Sequence, residues 1–323
     1  MAKDSLESAS MMLRALVAGA SCDKIAADFG MTKSAVSQKI RMLANDLQQI
    51  VGVVGVDEDE SPTAAMIRYH GDAYLEALSH FVPGAASVWR SQVTELANCR
   101  LEQHIAKIAR HSRCVERDTA LLLTLFSTAA KPLEIAQLEV RDYLDESGEV
   151  KLHSSIRAKI AVNGKARPLH FCDPALTTAI DAYLLRRCAE GVAAQFEESY
   201  RGLQPRSRLF LSRSGNPMAI KRSGSGSRHL VCKEIHEIYR RIFAYGGHSG
   251  INTALARRLA ARRLHLAGAD AEEIGAALGV KKLAVHKLLQ SIEEESALCL
   301  IRAAGMPDRT GQPDESRQLR RTA

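Results

Sequence analysis

Two stretches of the chain carry side chains suited to meeting a polyanion. In SCDKIAADFGMTKSAVSQKIRML, Thr32, Lys33, Ser34, Ser37, Gln38 and Arg41 fall on one side of a helical pattern whose other side is Val36, Ile40 and Leu43. Gln can read adenine bidentately, Lys and Arg can reach guanine or phosphate, and Ser and Thr can hold phosphate oxygens. Between Arg201 and Arg263, fourteen Lys and Arg stand against two acids, Glu234 and Glu237, a local charge of +12 where the whole chain carries +7. Lys221, Arg222, Arg228, Arg257 and Arg258 belong to that stretch. Charge so concentrated favours double-stranded DNA, because neutralising phosphates releases condensed counterions. A solvated basic face with no ligand is the other reading of it.

Other chemistry is less well served. His248-Ser249 and His153-Ser154-Ser155 are only sequence neighbours, with no nucleophile elbow around either pair. GSGSR (224–228) has the glycines of a phosphate loop but not the following Lys-Ser/Thr, and reads as a basic loop lying along DNA. The histidines show no i, i+4 pair with an acid between them, so neither a metal nor a cofactor is expected. Cysteines 22, 99, 114, 172, 188, 232 and 299 form no C-x-x-C pair and read as reduced thiols.

The elements that must position these residues follow from patterning. Hydrophobic residues at 46% and charged residues at 25% exclude a wholly disordered chain, and no apolar run approaches the roughly 20 residues of a membrane span. The start MAKDSLESAS lacks the apolar core of a secretory signal, so an intracellular, cytoplasmic and nucleoid-associated protein is expected. Residues 1–56 read as a small helical domain in which Ser21 and Thr32 cap two helices and Gly30 supplies the turn between them, the grammar of a helix-turn-helix. Residues 57–63 have linker composition, with four consecutive acids and Ser-Pro, and 64–113 read as short amphipathic helices. From 114 to 304 the pattern runs helix, short β region, helices, with a hairpin turn expected at Asn163-Gly164, and 305–323 is a polar tail expected to be disordered. The fold class expected is mainly α with a small antiparallel sheet.

Two resemblances bear on this organisation. FGMTKSAVSQKIRMLANDL resembles the recognition-helix region of LysR-type and other winged regulators, keeping most of T-x-S-A-V-S-x-x-I-x-x-L over a short stretch. RDTALLLTLFSTAAKPLEIAQLEVRDYL resembles the opening of the catalytic domain of tyrosine recombinases (phage integrases), T-G-L-R-x-x-E-L-x-x-L-x-x-x-D. Thr128 stands at the Thr, Ala129 and Ala130 at Gly-Leu, Lys131 at the first catalytic Arg, Glu134 at the Glu and Asp142 at the Asp. SRLFLSRSGNPMAI resembles the family's L-F-x-S-x-x-G-x-P hairpin, and INTALARRLAARRLHLAGADAEEIGAALGVKKLAVHKLL its C-terminal helices.

The resemblance implies a tyrosine-recombinase-like domain and a set of catalytic positions. The turn lysine falls on Lys165, or on Lys159, and the second Arg on Arg257. Ala254 sits at the catalytic His, Arg258 at the variable His, Val280 at the His/Trp and Leu289 at the nucleophilic Tyr. Leucine cannot attack phosphorus, and Lys131 offers a point charge in place of a planar fork. Tyr239 and Tyr245 precede the Arg257 helix and lie outside the nucleophile's expected place, so neither is expected to substitute for it, and Arg257 either clamps phosphate or pairs with a buried carboxylate such as Glu134. These positions read as a fold kept for DNA binding: a sequence-specific, non-enzymatic regulator of a mobile element. The alternative is an atypical recombinase or integrase, or its accessory factor. SIEEESALCLIRAAG carries enough apolar surface to need a partner: the resemblance implies that residues 291–304 dock on a second copy, giving a homodimer, and packing in cis on its own domain is the other arrangement.

Overall fold

The computed structural model describes residues 3–56, 60–81, 95–193, 199–222, 230–245, 252–286 and 288–289. Arg228, the segment 291–304 and the tail 305–323 lie outside the described residues. The expected fold class is the one observed, helices with two small antiparallel ribbons. Among the described residues no helix is long and apolar enough to cross a membrane.

Helices α1 (Lys3–Val17), α2 (Cys22–Asp28) and α3 (Lys33–Asp46) bury Ala9, Met12, Leu13 and Leu16, then Ile25 and Ala26, then Val36, Ile40, Leu43 and Ala44. These are i, i+3, i+4, i+7 faces turned on one another. The same core takes in Ile67 from α4 (Ala64–Tyr69) and Tyr74 and Ala77 from α5 (Gly71–Ser79). The core is thus closed by helices from beyond the expected linker 57–63, because three short helices alone leave one apolar side uncovered. Gly71 permits the fit: a Cβ there would lie 2.6 Å from Val17 Cγ1.

A second core is built around α7 (Val115–Thr128), which buries a continuous run from Ala120 to Phe126 and therefore sits centrally. Ile108 of α6 (Glu95–His111) belongs to this core, so the segment expected as one unit at 64–113 divides its helices between the two cores. After the short turns α8 (Pro132–Ile135) and α9 (Val140–Tyr143), strands β1 (His153–Ile156) and β2 (Arg167–His170) pair antiparallel, His153 opposite His170 and Ile156 opposite Arg167. The strands expected on either side of Asn163-Gly164 pair as a hairpin, but the turn there does not join them directly. The connection is the longer loop 157–166, within which Gly164 (φ 70°) bonds back to Ala161 at 3.0 Å.

Helix α10 (Pro174–Ala189) packs on α7, and β3 (Lys221–Arg222) pairs with β4 (Leu230–Val231). Then follow α11 (Lys233–Tyr245), α12 (Thr253–Leu266) and α13 (Ala271–Leu278). A third apolar cluster joins the end of α7 to the C-terminal helices through Ala129, Ala261, Ile274, Leu278 and Val285, with Val280, Leu288 and Leu289 packed against it. Ala129 ends α7 in the left-handed region at φ 52°, where the resembled motif has glycine.

Candidate nucleic-acid interface and the centre around Lys131

The α2–α3 pair is organised by its caps. Ser21 accepts from Lys24 N at 3.1 Å and Thr32 from Ala35 N at 3.2 Å, so each helix starts with an orphan donor satisfied by its own N-cap side chain. Gly30 takes φ 60° between them, and Met31 N bonds to Ala26 O at 2.9 Å. With Val36, Ile40 and Leu43 buried, Thr32, Lys33, Ser34, Gln38 and Arg41 are left exposed and Ser37 half-exposed. Five of the six residues expected on this face are therefore exposed. Lys33 is engaged there: its Nζ lies 2.9 Å from Asp23 Oδ2, and that hydrogen bond and charge raise its pKa.

The second centre forms where α8, the 157–166 loop, β2 and the end of α13 meet. Glu134 is fully buried, and Arg167 donates to both of its carboxylate oxygens, through Nη1 at 2.6 Å and through Nη2. Lys131 N at 2.8 Å and Val162 N at 3.0 Å complete its hydrogen bonds. Burial pushes the Glu134 carboxyl up, but Arg167 and the two backbone donors outweigh it and hold the group below its ordinary value. The Arg167 guanidinium lies so close under Gly279 that a Cβ there would meet Cζ and Nε at 3.2 Å. Asn163 Nδ2 donates to Gly279 O at 3.0 Å, tying the loop to the same turn. Arg167 is the residue sequence reasoning missed: its partner is thirty-three positions away and no motif marks it.

Lys131 is 8% exposed and borders a cleft of about 1050 Å³, whose walls include Lys159 and Gly164 and, from the N-terminal half, Tyr69 and His70. Lys165 is exposed beside it, its N–H bonded to Asn163 Oδ1 at 3.0 Å. The structure therefore brings Lys131, the loop of Lys159 and Lys165, and the Gly279–Val280 turn around one place. Leu289 packs against the cluster containing Ala129 and Val280. Arg257 and Arg258 are buried on α12, at 2% and 7% exposure. The carboxylate named as a candidate for Arg257, Glu134, has both oxygens bonded by Arg167. Of Ala254 only the backbone is described, in α12. Lys221 and Arg222 are exposed on β3.

All seven tyrosines lie among the described residues. Tyr239, set aside in the sequence as a substitute nucleophile, is a core residue whose hydroxyl donates to Leu121 O at 3.0 Å, and burial pushes its pKa well up. Tyr245 stacks on His111 at 5.9 Å, and neither residue borders the Lys131 cleft. Tyr69 does border it, and is 56% exposed.

The linear spacing carries no sign of a metal site, yet the fold brings His153, His170 and Cys172 together with their ligand atoms within 4.8 Å of one another.

No protein-family model and no curated protein matches the chain. Among solved structures it is similar to the XerA recombinase, at 15% identity and TM-score 0.43 over 95% of this chain and 94% of that one. It is also similar to the Tn1549 transposon integrase in complex with transposon right end DNA, at 15% identity and TM-score 0.41 over 93% of this chain and 85% of that one.

Proposed function

We propose that the chain is a sequence-specific DNA-binding protein, a transcriptional regulator of a mobile element, in which a helix-turn-helix reads the major groove and a recombinase-like domain holds the duplex without cutting it. The observation that carries this reading is the exposed side of α3, where Ser34, Gln38 and Arg41 project from a capped helix with a buried apolar back. A recognition helix held on such a support can present these side chains to base edges in the major groove. Lys221 and Arg222 on β3 and Lys165 in its loop supply sequence-independent phosphate contacts.

The resemblance assigns the nucleophile's place to Leu289, which packs among apolar neighbours and has no oxygen to attack phosphorus. Lys131 keeps a positive charge at the first Arg position but presents no bidentate fork to a phosphate. Fragments enriched from random DNA by the full chain should share one sequence, and a nicked suicide duplex carrying that sequence should yield no covalent adduct. Failure to enrich any sequence would overturn the reading.

A recombinase, integrase or accessory factor is the second reading, and Tyr69 favours it as the one tyrosine bordering the cleft of Lys131. A DNA-sized adduct that forms with the wild-type chain and disappears in Tyr69→Phe would establish that reading in place of the first.

A further inference from the structure

We propose that His153, His170 and Cys172 form a binding site for a divalent ion of the zinc class, on the sheet end remote from the Lys131 cleft. The fold places the ligands. In the β1–β2 register His153 is directly opposite His170, so both imidazoles stand on one face of the ribbon. Phe171 is fully buried, and alternation along the extended chain returns Cys172 to the side of His170. All three residues are exposed. The two Nδ1 atoms are 3.0 Å apart, with the rings nearly perpendicular at 81°.

That spacing suits a shared ion. With Zn–N near 2.0–2.1 Å and Zn–S near 2.3 Å, the edges of a tetrahedral site are about 3.3 Å between nitrogens and about 3.6 Å from nitrogen to sulfur. The Nδ1 pair is already close to its edge length. Cys172 Sγ, now 3.5 Å from the Leu152 carbonyl oxygen, lies within the 4.8 Å that spans the three ligand atoms, so rotation of one side chain completes the set. The donors select the ion: imidazole and thiolate favour a borderline-soft metal, and no carboxylate stands among them to favour magnesium or calcium. The adjacent Asp173 is engaged elsewhere, Oδ1 accepting from Ala175 N at 3.0 Å and Oδ2 from Ser127 at 2.5 Å, so the fourth position is left to water. On binding, the Cys172 thiol gives its proton to solvent and the thiolate coordinates. The ion would join β1 to β2 just before α10 begins at Pro174, the helix that packs on the central α7.

The test uses the tag-free full chain, stripped of metal with a chelator and titrated with Co²⁺ as the spectroscopic probe. One equivalent should produce visible bands of a tetrahedral ion and a thiolate-to-cobalt charge-transfer band in the near ultraviolet, and Zn²⁺ should bleach both. Cys172→Ser should lose the charge-transfer band while keeping the wild-type circular dichroism without metal, since Cys172 is exposed. His170→Ala and, separately, His153→Asn should each weaken binding by more than the roughly 10–100-fold that loss of a ligand's supporting partner costs. Absence of a charge-transfer band in the wild-type chain would overturn the proposal. So would a band that persists in Cys172→Ser, which would assign the thiolate to another cysteine.

Discussion

On α3, Lys33, Ser34, Gln38 and Arg41 project into solvent from a helix whose back is buried, and each cap in the segment is satisfied within a few residues of itself. Around Glu134 the polar groups turn inward: Arg167, Lys131 N and Val162 N all donate to one carboxylate, and Asn163 reaches across to Gly279. The first arrangement leaves hydrogen-bonding capacity for a ligand. The second uses that capacity to hold a strand, a loop and two helix ends together. A buried charged cluster is therefore not by itself a sign of chemistry; what its donors already bond to decides.

The sharpest way to break this comparison is to remove Arg167. If the pair is a structural tie, Arg167→Ala leaves the Glu134 carboxylate buried with two backbone donors but no countercharge, a loss of about 3–5 kcal/mol for a buried pair. Urea unfolding of both proteins would measure it, and a change below about 0.5 kcal/mol would mean the tie is not there. The pH dependence carries a sign. Because the folded pKa of Glu134 lies below its ordinary 4.5, its contribution is present above that value and is lost as pH falls through the lower folded one. The wild type should therefore lose stability on acidification below pH 4.5 by more than Arg167→Ala does.

On the exposed side, Gln38→Ala or Ser34→Ala should cost about 1–3 kcal/mol of discrimination between the preferred site and random DNA for each base edge left unread. Affinity for random DNA should stay nearly constant, and competition binding reads both quantities. Equal weakening on all sequences would mean these side chains only position the helix. A double change of Lys221 and Arg222 to Ala should do the reverse, weakening all sequences alike and flattening the salt dependence by roughly one unit of slope per phosphate left unneutralised.

The two regions are also unequally legible. Ser21, Gly30, Thr32 and the apolar spacing of Ile25, Val36 and Ile40 all act within one short segment, so linear pattern and folded geometry agree there. The 157–166 loop misleads because Asn-Gly is a strong local turn signal. Val162 and Asn163 instead spend their donors on Glu134 and Gly279, and those distant bonds hold the loop open. Arg167 is invisible in the sequence for the same reason, as is the His153–His170 pair, which exists only through the strand register. Tyr69 reads as one more residue of an amphipathic helix until the N-terminal core places it across from Lys131.

The smallest expected effect sharpens the account of the α3 face itself. Lys33 is expected at phosphate, yet its ammonium is held 2.9 Å from Asp23, with both side chains largely in solvent. An exposed pair of this kind is readily exchanged for another anion, because water and salt screen it. Two arrangements then make different forecasts for Asp23→Asn. If Lys33 leaves Asp23 when the duplex arrives, the substitution removes a competitor, affinity rises modestly, and the salt slope stays near that of the wild type. If Lys33 stays on Asp23 in the complex, freeing it neutralises one further phosphate and steepens the slope by about 0.9. Binding measured from low to moderate salt on random-sequence duplexes separates the two. The exposure of both side chains favours the first, so an unchanged slope with slightly tighter binding is the expected outcome. Weaker binding would show instead that Asp23 is needed to aim Lys33, making the pair part of the interface.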